Sequence, residues 1–151
     1  MRRPDQDRYN DFTTALTRID AALVAFCRDY GFSMEENANR VPSRILRRGV
    51  EPQQVIDIYL EGEWRDMPLE SPRFYAFVAG CYSKDVAEPC KLWHMKEDLL
   101  RGATLESLDL GLPALLDRSL SLFAEWSTGI VRRRGVEVPN FREIYRERFS
   151  S

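Results

Sequence analysis

The sequence predicts an α+β fold, with an antiparallel three- to four-stranded sheet packed against a long N-terminal helix and a second helix in the C-terminal half. Three observations predict it. Apolar residues recur at helical spacing near the N-terminus and again beyond Leu112. Between those stretches lie segments rich in β-branched and aromatic residues. The two kinds of pattern are segregated along the chain, which favours an antiparallel sheet over a parallel α/β arrangement. Helices then cover one sheet face and leave the other partly open.

The first helix is expected from about Asp5 to Tyr30. Tyr9, Phe12, Leu16, Ile19, Leu23, Phe26 and Tyr30 recur at three- and four-residue steps and share one face. Asp5 and Asp7 suit its positive N-terminal end. Gly31 can supply a left-handed cap, and Phe32 can then fold back on the helix end. Ser33 to Pro42 is polar and reads as irregular chain. Ser43 to Arg48 reads as a short strand, with a turn from Gly49 to Pro52.

Gln53 to Glu61 is the next strand, closed by Gly62. Alternation sends Ile56, Ile58 and Leu60 to one face and Val55, Asp57, Tyr59 and Glu61 to the other. Arg73 to Ser83 is apolar on both faces and so belongs in the middle of the sheet. A fourth strand is expected through Lys91 to Met95, within Cys90 to Lys96, although a helix running on to Leu100 also fits. Gly102, Ala103 and Thr104 break the pattern.

The second long helix is expected from near Leu112, with Pro113 in its first turn. Its buried stripe would be Leu112, Leu115, Leu116, Ser119, Phe123, Trp126 and Ile130, and it would end near Gly129 or Gly135. Asn140 to Glu143 has capping-box spacing ahead of a short helix with Phe141, Ile144, Tyr145 and Phe149.

The bulk composition bounds the possibilities. At 151 residues, 44% hydrophobic and 30% charged, the chain fits one globular domain spanning 1–151 with a core of its own. A net charge of −2 gives no global field toward nucleic acid or an anionic membrane. Three cysteines without tight spacing argue against a disulfide framework and favour a reducing, cytoplasmic compartment. The basic N-terminus has no apolar stretch after it, so no signal peptide is expected. No apolar run approaches the ~20 residues of a membrane span.

No motif for catalysis, for a metal or for a cofactor stands out. His94, the only histidine, is within reach in sequence of Cys81 and Cys90 as a base–nucleophile pair; a histidine packed on a strand is the simpler expectation. Cys27, Cys81, Cys90 and His94 lack the Cys-x-x-Cys pairs of structural zinc sites. Arg44, Arg47 and Arg48 form one basic cluster and Arg132 to Arg134 another. The second is read as closing a helix, where cations are favoured, in preference to a nucleic-acid contact.

The middle of the chain is more suggestive. Asp57, Glu61, Glu63, Asp66 and Glu70 crowd one strand and its loop, opposed only by Arg65. Trp64 lies in that loop and Tyr59 shares a strand face with Asp57 and Glu61. Large rigid aromatics beside charges are what interface hot spots use. Acids also steer a basic partner. Asp57, Tyr59, Glu61, Glu63, Trp64, Asp66 and Glu70 are therefore the expected partner-binding residues; the plainer alternative is a solvated edge.

Several segments also resemble small bacterial α+β immunity proteins of polymorphic toxin systems. They are the first helix ending in Tyr30, Gly31 and Phe32, then Asn37, Asn39 and Arg44, the strands Val55–Tyr59 and Tyr75–Val78, and the helix through Leu112–Leu116. The resemblance covers much of the chain and transfers no site residues. It implies a non-enzymatic, cytoplasmic inhibitor that plugs or covers a cognate toxin or effector. A small cysteine/histidine enzyme and a nucleic-acid-binding regulator are the alternatives.

Overall fold

The computed structural model describes residues 3–49, 53–85, 88–127, 130–133 and 136–139. Helix α1 runs Arg3–Tyr30. It is followed by β1 (Ser33–Glu36), a 3-10 turn (Ala38–Arg40), β2 (Ser43–Arg48), β3 (Gln53–Leu60), β4 (Phe74–Asp85) and β5 (Glu88–Ala103). Helix α2 (Leu105–Ser127) and the strands β6 (Ile130–Arg133) and β7 (Val136–Pro139) complete the order. The sheet has five strands in sequence order, all antiparallel, so the α+β expectation is met with one strand more than the three to four expected.

The core lies between one sheet face and both helices. Phe12, Leu16, Ile19, Leu23 and Phe26 of α1 are buried at the expected spacing. They meet Ile56, Ile58 and Leu60 of β3, and Phe74, Ala76 and Val78 of β4. Each of these side chains larger than alanine contributes roughly 1.5–3 kcal/mol by leaving water. Tyr30, expected on this stripe, is instead 46% exposed and leans on Phe26 with ring centroids 4.9 Å apart. The cap forms as expected: Gly31 adopts φ 76°, and the amides of Gly31 and Phe32 both donate to the Cys27 carbonyl. Phe32 turns back onto Phe26 at 5.1 Å.

Three boundaries differ from the sequence reading, each for a physical reason. Ser33–Glu36 is a strand and not irregular chain. It is an edge strand with only Met34 turned partly inward, so it carries no alternating apolar signature. Strand β5 runs on to Ala103 because two register shifts, opposite Phe74 to Phe77, absorb extra residues and erase the period-two pattern. Helix α2 starts at Leu105, one turn and more before Leu112. Thr104 caps it, its hydroxyl accepting the Ser107 amide at 3.1 Å while its carbonyl accepts the Leu108 amide. Pro113 is thus interior to the helix, on its exposed side, and forgoes one backbone bond.

The expected α2 stripe is buried from Leu112 to Trp126, joined by Leu108 and Leu122. Ile130 belongs to β6 and not to the helix, and Arg132 and Arg133 sit on that strand and so do not close a helix. Gly129, Gly135 and the capping box from Asn140 lie outside the described residues.

A buried ion pair locks α1 to the sheet. Arg44 is 2% exposed. Its Nε donates to Asp20 at 2.7 Å, and its Nη atoms donate to Asp20, Asn37, Ser43 and Thr13. Asn37 also accepts the Ser43 amide, and in a left-handed conformation (φ 56°) it fixes the 3-10 turn over one end of the sheet.

Candidate binding face

Among the described residues, neither long helix packs on the second sheet face, and its register assembles the candidate site. One row runs Ile45, Asp57, Phe77 and Asp98 across β2 to β5. The next places Ser43, Tyr59 and Tyr75 in line. A third runs Arg47, Val55, Ala79 and Lys96. Antiparallel neighbours on one face stand close enough for their side chains to interact. Three aromatic rings accordingly form a cluster, with Tyr59–Tyr75 centroids at 5.0 Å, Tyr75–Phe77 at 6.1 Å and Tyr59–Phe77 at 6.2 Å.

Cations line this cluster. The Lys96 ammonium lies 4.4 Å from the Phe77 ring centroid and 5.5 Å from that of Tyr75. The Arg101 guanidinium lies 5.6 Å from Tyr75. Such contacts hold both ring and cation in place. The Tyr75 hydroxyl donates to the Asp98 carboxylate.

Beside the cluster is a pocket of about 260 Å³ lined by Ala38, Val41, Ser43, Ile45, Asp57, Tyr59 and Phe77. The 3-10 turn forms one wall, and the other walls are strand side chains. Asp57 is the pocket's one acid, and its Oδ1 is buried without a hydrogen-bond partner. Burial pushes this carboxyl up to about 6; Arg47 and Lys96 draw it down only in part, and Glu35 raises it. Those cations are engaged elsewhere, Arg47 with Glu35 at 2.5 Å and Lys96 with Asp98 at 3.9 Å. The Tyr59 hydroxyl is also pushed up, first by burial and then by Asp57, Asp98 and Glu61, against Arg101.

The residues expected at the partner surface separate into three groups. Asp57 and Tyr59 share the pocket, and Glu61 directly follows the same strand, accepting the Gly102 amide. Glu63, Asp66 and Glu70 are exposed on the loop that follows, where Glu63 pairs with Arg65 at 2.7 Å. Trp64 does not join them outside. It is 4% exposed, set edge-on to Tyr9 of α1 at 5.4 Å, and belongs to the core. The loop folds back on the helix: Arg8 donates to the Met67 carbonyl, and Arg65 covers the Trp64 ring at 4.4 Å. An indole with this much area is worth more buried than displayed.

Tyr75, Phe77, Lys96 and Asp98 are members of the face that the sequence reading passed over. The alternation Tyr75, Phe77 against Ala76, Val78 was the available signal, masked because both sets are apolar.

The first arginine cluster is used by the fold itself. Arg44 is buried, Arg47 pairs with Glu35, and Arg48 stacks 4.4 Å from the Phe32 ring and donates to the Tyr30 carbonyl. Cys27 is half-buried on α1, and burial raises its thiol, which makes it a poor nucleophile. The β4–β5 register sets Cys81 directly opposite His94, with Cys90 farther along β5. Among the described residues, no three His, Cys, Asp or Glu side chains come together as metal ligands. Among those residues, too, no helix is long and apolar enough to cross a membrane. Comparison with protein-family models, with curated proteins and with solved structures finds no match to this chain.

Proposed function

We propose that this chain is a non-enzymatic protein-binding protein, most concretely an immunity-type inhibitor that covers the active site of a cognate bacterial toxin or effector. It docks through the sheet face turned away from α1 and α2. The observation that carries this is the pair of part-exposed rings Tyr59 and Phe77 on that face, set against the buried Tyr75 and rimmed by Lys96, Asp98 and Arg101. Aromatic anchors inside a charged rim match the composition of binding hot spots. Asp57 adds a carboxylate that is poorly solvated and unpaired in the free chain, so a complementary partner gains more there than water offers. The resemblance to immunity proteins supports the same reading and fits a cytoplasmic site of action.

The test is genetic and biochemical. The product of the reading frame beside this gene is expressed alone and together with the chain. Growth arrest by that product, relieved by the chain and not by a Tyr59→Ala/Phe77→Ala variant, is the expected result. A neighbouring product without toxicity, or relief that the variant retains, overturns the proposal.

One observation favours a second reading. The β4–β5 register pairs Cys81 with His94, and an enzyme of this kind needs a thiol and a base near each other. Alkylation with iodoacetamide decides it: a single cysteine reacting much faster than free thiol near neutral pH supports an enzyme, and uniform slow labelling rejects one.

A further inference from the structure

We infer that the pocket around Asp57 is a socket for one arginine side chain presented by the docking partner. The inference rests on the binding reading above and names the chemistry of its central contact. At about 260 Å³ the pocket is smaller than the roughly 300–1,000 Å³ of small-molecule sites, and is scaled to a single side chain. Apart from Ser43, its walls are apolar or aromatic: Ala38, Val41, Ile45, Tyr59 and Phe77. Its acid is Asp57, one oxygen of which is buried and receives no hydrogen bond.

A buried carboxylate in an apolar pocket calls for a cation that also donates hydrogen bonds. Guanidinium suits it better than ammonium. It is planar, sheds water more readily, stacks on rings and offers a fork of donors to a carboxylate. Among the described residues, the cations on the strands beside the pocket are committed elsewhere. On β1 and β2, Glu35 and Arg47 hold each other. On β5, Lys96 lies over Phe77 and beside Asp98, and Arg101 lies over Tyr75. Tyr59 of β3 and Glu61 just after it lie beside the same region, and Arg40 is exposed on the turn.

Proton linkage follows. A carboxyl titrating at about 6 is some tenth ionised at pH 5 and about nine-tenths ionised at pH 7, so affinity for a cation changes about tenfold across that interval.

The experiment titrates the full chain with N-acetyl-arginine amide, following backbone amide shifts by two-dimensional NMR at pH 5 and pH 7. N-acetyl-citrulline amide, neutral and of the same shape, and N-acetyl-lysine amide are the controls. Saturable shifts centred on Ala38, Asp57, Tyr59 and Phe77 are expected, about tenfold tighter at pH 7 than at pH 5. Citrulline should bind at least tenfold more weakly, and Asp57→Asn should abolish the arginine response. Phe77→Leu keeps the wall apolar but removes the ring face, and should weaken arginine several-fold while leaving citrulline unchanged. Equal binding of arginine and citrulline, equal or tighter binding of lysine, or an unaltered response in Asp57→Asn overturns the socket. If the arginine probe fails while a toxin partner still maps to Tyr59 and Phe77, the socket falls and the docking face stands. If the probe binds while the partner maps elsewhere, the socket stands as a site and the docking face falls.

Discussion

Replacing Asp20 with alanine should cost more stability than replacing its partner Arg44 with methionine. The asymmetry comes from burial, since Arg44 is 2% exposed and Asp20 is 23% exposed. Removing the acid strands a guanidinium that water scarcely reaches, and breaking a buried pair in this way costs roughly 3–5 kcal/mol. Arg44 keeps donors on Asn37 and on the Ser43 carbonyl, so the lower end, about 3 kcal/mol, is expected. Removing the base instead leaves a carboxylate at the edge of solvent, which rehydrates, and methionine refills most of the volume; about 1–2 kcal/mol is expected. The double variant should then lie near the Arg44→Met value and well short of the sum, because no charge is left stranded. In a chain of this length each kcal/mol moves the melting temperature by roughly 2–4 °C, so Asp20→Ala should melt about 6–12 °C lower. Urea titrations followed by far-ultraviolet circular dichroism give the free energies, and thermal scans give the second readout. Equal single costs, or a double variant equal to their sum, would refute the account of how α1 is fastened to the sheet.

Other perturbations separate packing from recognition. Trp64→Ala should destabilise by about 3–5 kcal/mol, as for a core aromatic, in a denaturant titration. Glu63→Lys and Asp66→Lys, on the exposed loop, should each leave stability within about 0.5 kcal/mol. Gly31→Ala should cost about 1 kcal/mol through backbone strain alone, since φ is +76° and nothing lies within 4 Å of an added methyl. Asp57→Asn should stabilise the free chain at pH 7. Its carboxyl titrates near 6 when folded, against an ordinary 3.8, so the folded state holds the proton more tightly and wild-type stability falls as pH rises through that window. The variant's advantage, on the order of 1–2 kcal/mol after discounting for partial exposure, should be full above pH 6 and vanish below about pH 4 in pH-resolved melts.

Much of the architecture was legible because periodicity survives where one face is buried. The α1 stripe from Phe12 to Phe26 and the β3 alternation of Ile56, Ile58 and Leu60 both appear in the core as read. What was lost was lost for local reasons. Edge strand β1 buries almost nothing, so no pattern is selected along Ser33–Glu36. The two register shifts in β5 scramble its alternation before Ala103. Pro113 mimics a helix start, and only the Thr104 hydroxyl bond reveals the true one. The candidate site was half legible. Asp57 and Tyr59 stood out as an acid and an aromatic on one strand face, and they do share a pocket. Trp64 misled because sequence proximity to acids says nothing about direction; its loop folds onto Tyr9. Phe77 and Lys96 escaped notice because their contact crosses between strands, and register is not written in either strand alone.

The central claim is that recognition occurs on the face turned away from α1 and α2, around Asp57, Tyr59 and Phe77. Chemical-shift mapping of the isotope-labelled chain, with and without the product of the neighbouring reading frame, tests it most directly. Perturbations concentrated on the outward residues of β2 to β5, and lost together with binding in Tyr59→Ala/Phe77→Ala, are expected. A footprint on the outer surfaces of α1 and α2, with the sheet face unchanged, would contradict the claim.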